Sequence, residues 1–334
     1  MRRMETTKTR AAALRIGACL ALALTLAAPR FAAAQAQEQA TIVVPTPPGG
    51  PIDRVARIAA LGMQPPFAAV VVENKPGAAG KVGVLSALRA PRDGRTLIAV
   101  SPSITSVNPV VDPDAGYDPL KDFDLLRIVA FNSGVLAVRA GLPVHSMAEL
   151  VEYAKAHPDQ LTYGSFGTGT SLHLQSEELL RTLGIQARHV PYKGEAQVMT
   201  ALVAGEIDLM AYATEPIVPF VKNGQVRALA ATASQRWAAL PDVPSFAETG
   251  IPALAHYEYR SWVGLVLPAG VPAAARARVA AALDQAMAKP ELRSALEKQG
   301  FEPAKGDAAE MRRTIAAELE RNRRLVATGN FKLE

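Results

Sequence analysis

The sequence predicts an α/β protein of two domains. Short β-rich runs alternate with amphipathic helical segments along almost the whole chain, an alternation that predicts parallel sheets covered by helices. Pro and Gly concentrate in the loops after the expected strands, the places where open α/β sheets gather their ligands. Once an N-terminal export segment is set aside, roughly 300 residues remain, a length that fills two domains of ordinary size.

The export segment comes first in the chain. Arg2, Arg3, Lys8, Arg10 and Arg15 precede an apolar run from Ile16 to Ala28, and Ala32-Ala33-Ala34-Gln35 follows. That order predicts a secretory signal peptide over residues 1–36, cleaved after Ala34 or Ala36. The apolar run is shorter than the ~20 residues that span a bilayer, and no later run approaches that length. Ile16-Gly17-Ala18-Cys19 loosely resembles a lipoprotein box, but Arg15 stands just before it and most of the apolar stretch follows it. Cys19 therefore reads as a small hydrophobe within the signal. Arg2-Arg3 lacks the apolar follow-on of a twin-arginine signal, so the general secretion route is expected.

Setting the signal aside changes the electrostatics. The whole chain has 36 basic and 31 acidic side chains, a formal charge of +5. Residues 1–36 hold six of the basic groups and one of the acidic ones, so the remainder is formally neutral and keeps no footprint for nucleic acid. Cys19 is the single cysteine. The exported chain then has no thiol, disulfide or Cys-based metal site, and its stability comes from its cores.

The elements follow in order. A first strand is expected at 41–44, then a Pro/Gly loop, then a helix with Val55, Ile58 and Ala59 on one face. Further strands are expected at 70–72, 97–100, 136–138, 189–190, 207–210, 226–231 and 263–267. Ser146 and Glu149 form a capping box ahead of Leu150, and His157-Pro158 stops that helix. Pro272 opens a helix with Val279, Leu283 and Met287 on one face, Gly300 ends the next, and Asp307 with Glu310 starts a last one. In that last helix Arg312, Arg313, Arg321, Arg323 and Arg324 interleave with Glu310, Glu318 and Glu320, which reads as a solvated face.

Two loops carry chemistry. The first, Val44-Pro45-Thr46-Pro47-Pro48-Gly49-Gly50-Pro51-Ile52-Asp53, leaves a strand and opens a helix. Gly49 and Gly50 allow close backbone approach, and the helix start presents N–H groups suited to a carboxylate. Asp53 repels an anion, so it is expected to cap the helix or to bind through water or an amino group. A plain Pro/Gly turn with a capping Asp fits the same residues equally well. The second, Tyr163-Gly164-Ser165-Phe166-Gly167-Thr168-Gly169-Thr170-Ser171, precedes a helix carrying Leu172, Leu179, Leu180 and Leu183. It offers the same anion-binding logic but lacks the Gly-Lys-Ser/Thr ending of a phosphate loop and the dinucleotide fingerprint.

These loops and other motifs resemble the Bug-type receptors of tripartite tricarboxylate transporters over nearly the whole mature length. The resemblance runs through Pro47-Pro48-Gly49-Gly50 with Asp53, Glu73-Asn74-Lys75-Pro76-Gly77-Ala78, Tyr117-Asp118-Pro119-Leu120-Lys121-Asp122-Phe123 and Tyr163-Gly164-Ser165. It continues through Gly169-Thr170, His173-Leu174, His189-Val190-Pro191-Tyr192-Lys193-Gly194, Gly205-Glu206-Ile207-Asp208-Leu209-Met210 and Leu240-Pro241-Asp242-Val243-Pro244. It implies a type II periplasmic-binding fold, with lobe one formed by residues 37–135 plus 262–334 and lobe two by residues 136–261. A small carboxylate is then expected in the interlobe cleft, handed on to membrane transporter subunits from the periplasm by a monomer with no cofactor. Carried onto this chain, Pro48, Gly49, Gly50 and Asp53 face Ser165, Gly167, Gly169, Thr170 and Ser171. Ser103 and Thr105 are additional donors, and Tyr192 reads rather as core filler. Ile52, Phe166 and Tyr212 depart from the family's usual Thr, small polar residue and Asp. Phe166 and Tyr212 therefore join the expected ligand contacts, and the ligand is expected to have a relatively apolar or aromatic body.

Two other classes compete with transport. Ser165, His173 and an Asp compose a hydrolytic triad on paper, but there is no Gly-x-Ser-x-Gly elbow, and His145, His157, His173, His189 and His256 lack zinc-ligand spacing. No enzyme and no metal site is therefore expected. A sensory receptor that reports occupancy to a membrane partner needs the same cleft, and the residues do not separate it from transport.

Overall fold

A computed structural model describes residues 39–327 except Pro65, Ser234 and Glu258. The expected signal peptide lies outside the described residues. The chain forms two mixed α/β lobes, each around its own sheet.

The first sheet begins as read. Strand β1 (Gln39–Val44) runs into helix α1 (Pro51–Gly62), which has Pro at its start and buries Ile52, Val55, Ala56, Ile58 and Ala59. Strand β2 (Ala69–Asn74), helix α2 (Lys81–Leu88) and strand β3 (Thr96–Val100) follow, and β2 and β3 both pair parallel to β1. After β3 a wide turn, Ser103–Val107, leads into the short helix α3 (Asn108–Val111). Strand β4 (Phe123–Asn132) then carries the chain out of this lobe.

The second sheet is built by β5 (Val135–Arg139), α4 (Met147–Ala156), β6 (Leu161–Ser165), α5 (Ser171–Leu183), β7 (Ala187–Pro191), α6 (Glu195–Ala204), β8 (Leu209–Ala213), α7 (Val218–Lys222) and β9 (Val226–Ala231). Strand β10 (Ser261–Pro268) returns to the first lobe, which closes with α8 (Ala273–Ala288), α9 (Pro290–Lys298), β11 (Phe301–Pro303) and α10 (Ala308–Ala327). The strand orders are β11-β4-β10-β3-β1-β2 and β7-β6-β8-β5-β9.

Neither sheet is purely parallel, contrary to the expectation from strand and helix alternation. β10 pairs antiparallel with β3 and β4, β11 with β4, and β5 with both β8 and β9. The cause is the double crossing: β4 leaves the first lobe and β10 comes back beside it, from Ser261 opposite Asn132 to Pro268 opposite Phe123. Strands that leave and return through one hinge must run in opposite senses.

The hinge is tightly specified. Gly134 lies where the chain crosses, and a Cβ there would stand 2.8 Å from the Ala213 carbonyl oxygen. Thr232 donates its N–H to the Gly134 carbonyl at 2.9 Å, and its own carbonyl accepts from Tyr259 N at 3.0 Å. Ser146 caps α4 through the Glu149 N–H as read, while the Glu149 carboxylate reaches the N–H of His145. α10 is less solvated than its charges suggest. Arg312, Arg313, Arg323 and Arg324 are exposed, but Glu318 turns inward and accepts from Trp262 Nε1 and from Ser106 Oγ, both at 2.8 Å. Burial pushes its carboxyl pKa up. Among the described residues no helix is long and apolar enough to cross a membrane.

Candidate functional site

The site forms where loop-to-helix junctions of the two lobes meet. In the first lobe Gly50 is the N-cap of α1, with no side chain capping it. Nothing lies within 4 Å of a Cβ built on Gly49, and only the Pro47 carbonyl, at 3.9 Å, comes within that reach of Gly50. Pro48 and Gly49 are exposed. The turn is therefore open to close approach, as its composition implies.

Asp53 does not face that opening. Its side chain is buried and accepts from Gly49 N at 2.9 Å, Asn74 Nδ2 at 2.9 Å and Arg57 Nε at 3.0 Å, and it forms an ion pair with Arg57 Nη2 at 2.9 Å, which itself donates to Asn74 Oδ1. Burial alone would raise its pKa, but the hydrogen bonds from Arg57, Gly49 and Asn74 outweigh that and hold it below the usual carboxylate value. Asp53 shapes the turn by pinning Gly49, and Asn74 adds a second tie to the loop through the Thr46 carbonyl at 3.1 Å.

In the second lobe the Gly-rich loop wraps the start of α5. Gly167 and Gly169 take φ of +123° and +75°, backbone regions that side chains resist. Thr170 is the N-cap: its hydroxyl donates to the Gly167 carbonyl at 2.8 Å and accepts from His173 N at 3.3 Å. Ser165 is buried, with its hydroxyl accepting from Gly167 N at 3.2 Å and standing 2.6 Å from Nε2 of His189.

One junction joins the lobes directly. Ser103 Oγ, in the turn after β3, donates to Ser171 Oγ at 2.8 Å and accepts from Ser171 N at 2.9 Å. Thus the first N–H of α5 is satisfied by a hydroxyl from the other lobe. Thr105 takes no part, being fully buried with its hydroxyl bonded to the Ser101 carbonyl at 3.1 Å.

The side chains that depart toward apolar or aromatic character take part in the packing of the lobes. Ile52 belongs to the first-lobe core, and Phe166 and Tyr192 pack on the second-lobe cluster. Tyr212 is buried at the hinge, where its hydroxyl donates to the Asn132 carbonyl and its ring meets Tyr259 edge-on at 4.9 Å. Burial raises its pKa. An apolar or aromatic ligand body draws no support from these placements.

Sequence reasoning missed a charged pair at the same seam. Arg54, one turn into α1, lies 3.9 Å from Glu195, the first residue of α6 in the other lobe, and 3.4 Å from the Gly49 carbonyl. Its guanidinium stacks over Phe301. Glu195 is buried and accepts from the Thr214 hydroxyl. Burial raises its carboxyl pKa, against the opposing pulls of Thr214 and Arg54. A surface depression of about 650 Å³ beside Glu177, Arg181 and Arg188 contains none of the expected ligand contacts. Among the described residues no three His, Cys, Asp or Glu side chains group as metal ligands.

Comparison with known proteins fits this architecture. The model of the tripartite tricarboxylate transporter family receptor matches residues 55–331. A protein encoded in the tcbD-tcbE intergenic region of Pseudomonas sp. strain P51 is 33% identical over 320 residues, which covers 93% of each chain. Rpa4515 of R. palustris, solved with adipate, is 31% identical with a TM-score of 0.81, covering 89% of this chain and 99% of that one. MatC of Rhodopseudomonas palustris, solved with bound malate, is 28% identical with a TM-score of 0.77, covering 86% and 98%.

Proposed function

This chain belongs to the tripartite tricarboxylate transporter receptor family, and from that membership we propose that it captures a small carboxylate between its lobes for a transporter of that class. It works in the periplasm after removal of residues 1–36, and it binds without converting its ligand. Lobe one comprises residues 37–135 plus 262–334 and lobe two residues 136–261. The relatives solved with adipate and malate support the ligand class.

The observation that carries the reading is the Ser103 to Ser171 junction. It brings two strand-to-helix loops, one from each lobe, to hydrogen-bonding distance, while another such loop of the first lobe keeps the open Gly49-Gly50 turn. Helix starts and small hydroxyls of this kind suit a carboxylate. Ser165 is fully buried and Thr170 caps α5 within its own lobe, which favours a fixed binding surface over an accessible nucleophile. A ligand bridging both lobes contacts each only in the closed form, and this difference is what drives closure.

Calorimetry on the mature protein from Gln37 tests this against mono-, di- and tricarboxylates and their neutral amides. Binding of one acid class, with its amides silent, supports the reading. Equal binding of acids and amides, or of none, refutes it.

A further inference from the structure

Beneath the Gly-rich loop lie two histidines that the carboxylate reading leaves unused. His173 stands in the first turn of α5 and His189 in β7. Their rings stack with centroids 3.8 Å apart and planes 11° from parallel. Tyr163 of β6 stacks on His189 at 4.9 Å.

Each imidazole spends one nitrogen on the loop. Gly169 donates its N–H to Nδ1 of His173 at 3.2 Å. A backbone N–H can only donate, so this Nδ1 carries a lone pair and its ring proton sits on Nε2. The Ser165 hydroxyl accepts from Gly167 N at 3.2 Å, and two acceptors face its own proton: the Gly167 carbonyl at 3.2 Å and, closer, Nε2 of His189 at 2.6 Å. We assign the proton to the nearer of the two, His189, whose own proton is then on Nδ1. Both rings act as acceptors toward the loop.

We infer that His173 and His189 are positioning residues for the ligand: as a neutral stacked pair they fix Gly169 and Ser165, and so hold the loop in its binding conformation. This rests on the reading that the loop binds a carboxylate. The loop needs such support, because Gly167 and Gly169 sit at positive φ and would otherwise range freely. Around the pair the titratable groups are Tyr163 and, accepting from its hydroxyl, Glu177 of α5. Burial, and then the neighbouring His189, lowers the pKa of His173 to about 3, while burial lowers that of His189 to about 4. At neutral pH the pair is therefore uncharged.

The test separates acceptor from bulk. Asn places a carbonyl oxygen near the position of Nδ1, and Gln one near Nε2, whereas Leu removes the acceptor. Full-length mature His173→Leu, His189→Leu, His173→Asn and His189→Gln are compared by amide exchange at Gly169 and Gly167 without ligand, and by adipate affinity. The Leu variants are expected to exchange and to lose adipate affinity by about tenfold or more, the effect of one lost hydrogen bond, while Asn and Gln stay within about threefold. Leu variants that match the wild type, or Asn and Gln variants as impaired as Leu, overturn the inference. If the wild type binds no adipate, the carboxylate reading suffers, and the exchange rates alone decide this one. Should the Leu variants not fold, imidazole nitrogen shifts of the wild type at pH 7 decide: an unprotonated Nδ1 on His173 with an unprotonated Nε2 on His189 supports the pair, and the opposite tautomers overturn it.

Discussion

Removing the Asp53 carboxylate is expected to weaken the first lobe by about 3 kcal/mol, a figure that follows from its three hydrogen-bond donors and its ion pair with Arg57. Charge-assisted hydrogen bonds contribute roughly 1.5–3 kcal/mol each where water cannot replace them. The Arg57 pair qualifies least, because its guanidinium is 51% exposed and exposed ion pairs give about 1 kcal/mol or less. Gly49 is exposed and can rehydrate once the turn relaxes. Asn74 is half-buried and loses a partner it cannot easily replace. Asp53→Ala therefore loses about 3 kcal/mol, and Asp53→Asn somewhat less, since an amide retains an acceptor but sets a donor against one of these donors. The assay is urea unfolding followed by Trp262 fluorescence in a Trp237→Phe background, because Trp262 lies in the first-lobe strand β10 and lobes need not unfold together. The folded pKa of Asp53 is lowered, so its contribution is complete above the unfolded value near 3.9 and is lost as pH falls through the lower folded value. A loss below about 1 kcal/mol in the alanine variant, at pH 7, would show that water substitutes for the carboxylate and would refute this reasoning.

Gly134→Ala drives a methyl to 2.8 Å from the Ala213 carbonyl and is expected to destabilise by about 1–3 kcal/mol, read as a lowered urea midpoint. Ser103→Ala removes both bonds to Ser171 and is expected to weaken adipate binding by about five- to thirtyfold, measured by calorimetry, with thermal stability nearly unchanged. His173 and His189 have pKa values near 3 and 4, below the ordinary 6.5. The unfolded chain therefore binds more protons between those values, and stability is expected to fall as pH drops from about 6.5 towards 4. Replacing both by Asn and Gln flattens that part of a urea-midpoint profile against pH.

The parts of the site legible in the sequence were those whose chemistry is local. Gly49-Gly50 before a helix, and Gly167, Gly169 and Thr170 before another, announce open turns and helix starts by residue type alone. Strand β6 was hidden for the same reason, since Gly164 and Ser165 look like the loop they lead into. In β4, Asp124 and Arg127 interrupt the apolar run, and Arg127 is tolerated there because it reaches Asp284 at 2.7 Å and the Ala304 carbonyl at 3.0 Å. Those partners lie more than 150 positions away. Glu318 likewise looked solvated among the charges of α10, because its partner Ser106 is 212 positions distant. The Arg54 and Glu195 pair has no local signal, being made only when the lobes meet. Asp53 fell between these cases: that it is a poor direct partner for an anion was readable, although the resemblance kept it among the expected ligand contacts, and its ties to Gly49, Asn74 and Arg57 required the fold.

The interlobe contacts set how easily the proposed closure is reversed. Ser103 and Ser171 share two hydrogen bonds, each of net value about 1 kcal/mol. Arg54 and Glu195 stand 3.9 Å apart, beyond hydrogen-bonding distance, and Arg54 divides its contacts with Phe301. At the hinge end Gln175 of α5, with its amide assigned from its neighbours, accepts from Arg321 of α10 at 2.9 Å and donates to Glu178 at 3.0 Å. None of these is a large apolar surface, and polar contacts exchange readily for water as the lobes part. These contacts thus contribute only a few kcal/mol to the closed form, less than the roughly 8 kcal/mol that a micromolar ligand contributes. A receptor so balanced takes its conformation from its ligand, and strengthening the seam, for example by shortening the Arg54 to Glu195 contact, would close the cleft against entry instead of improving capture.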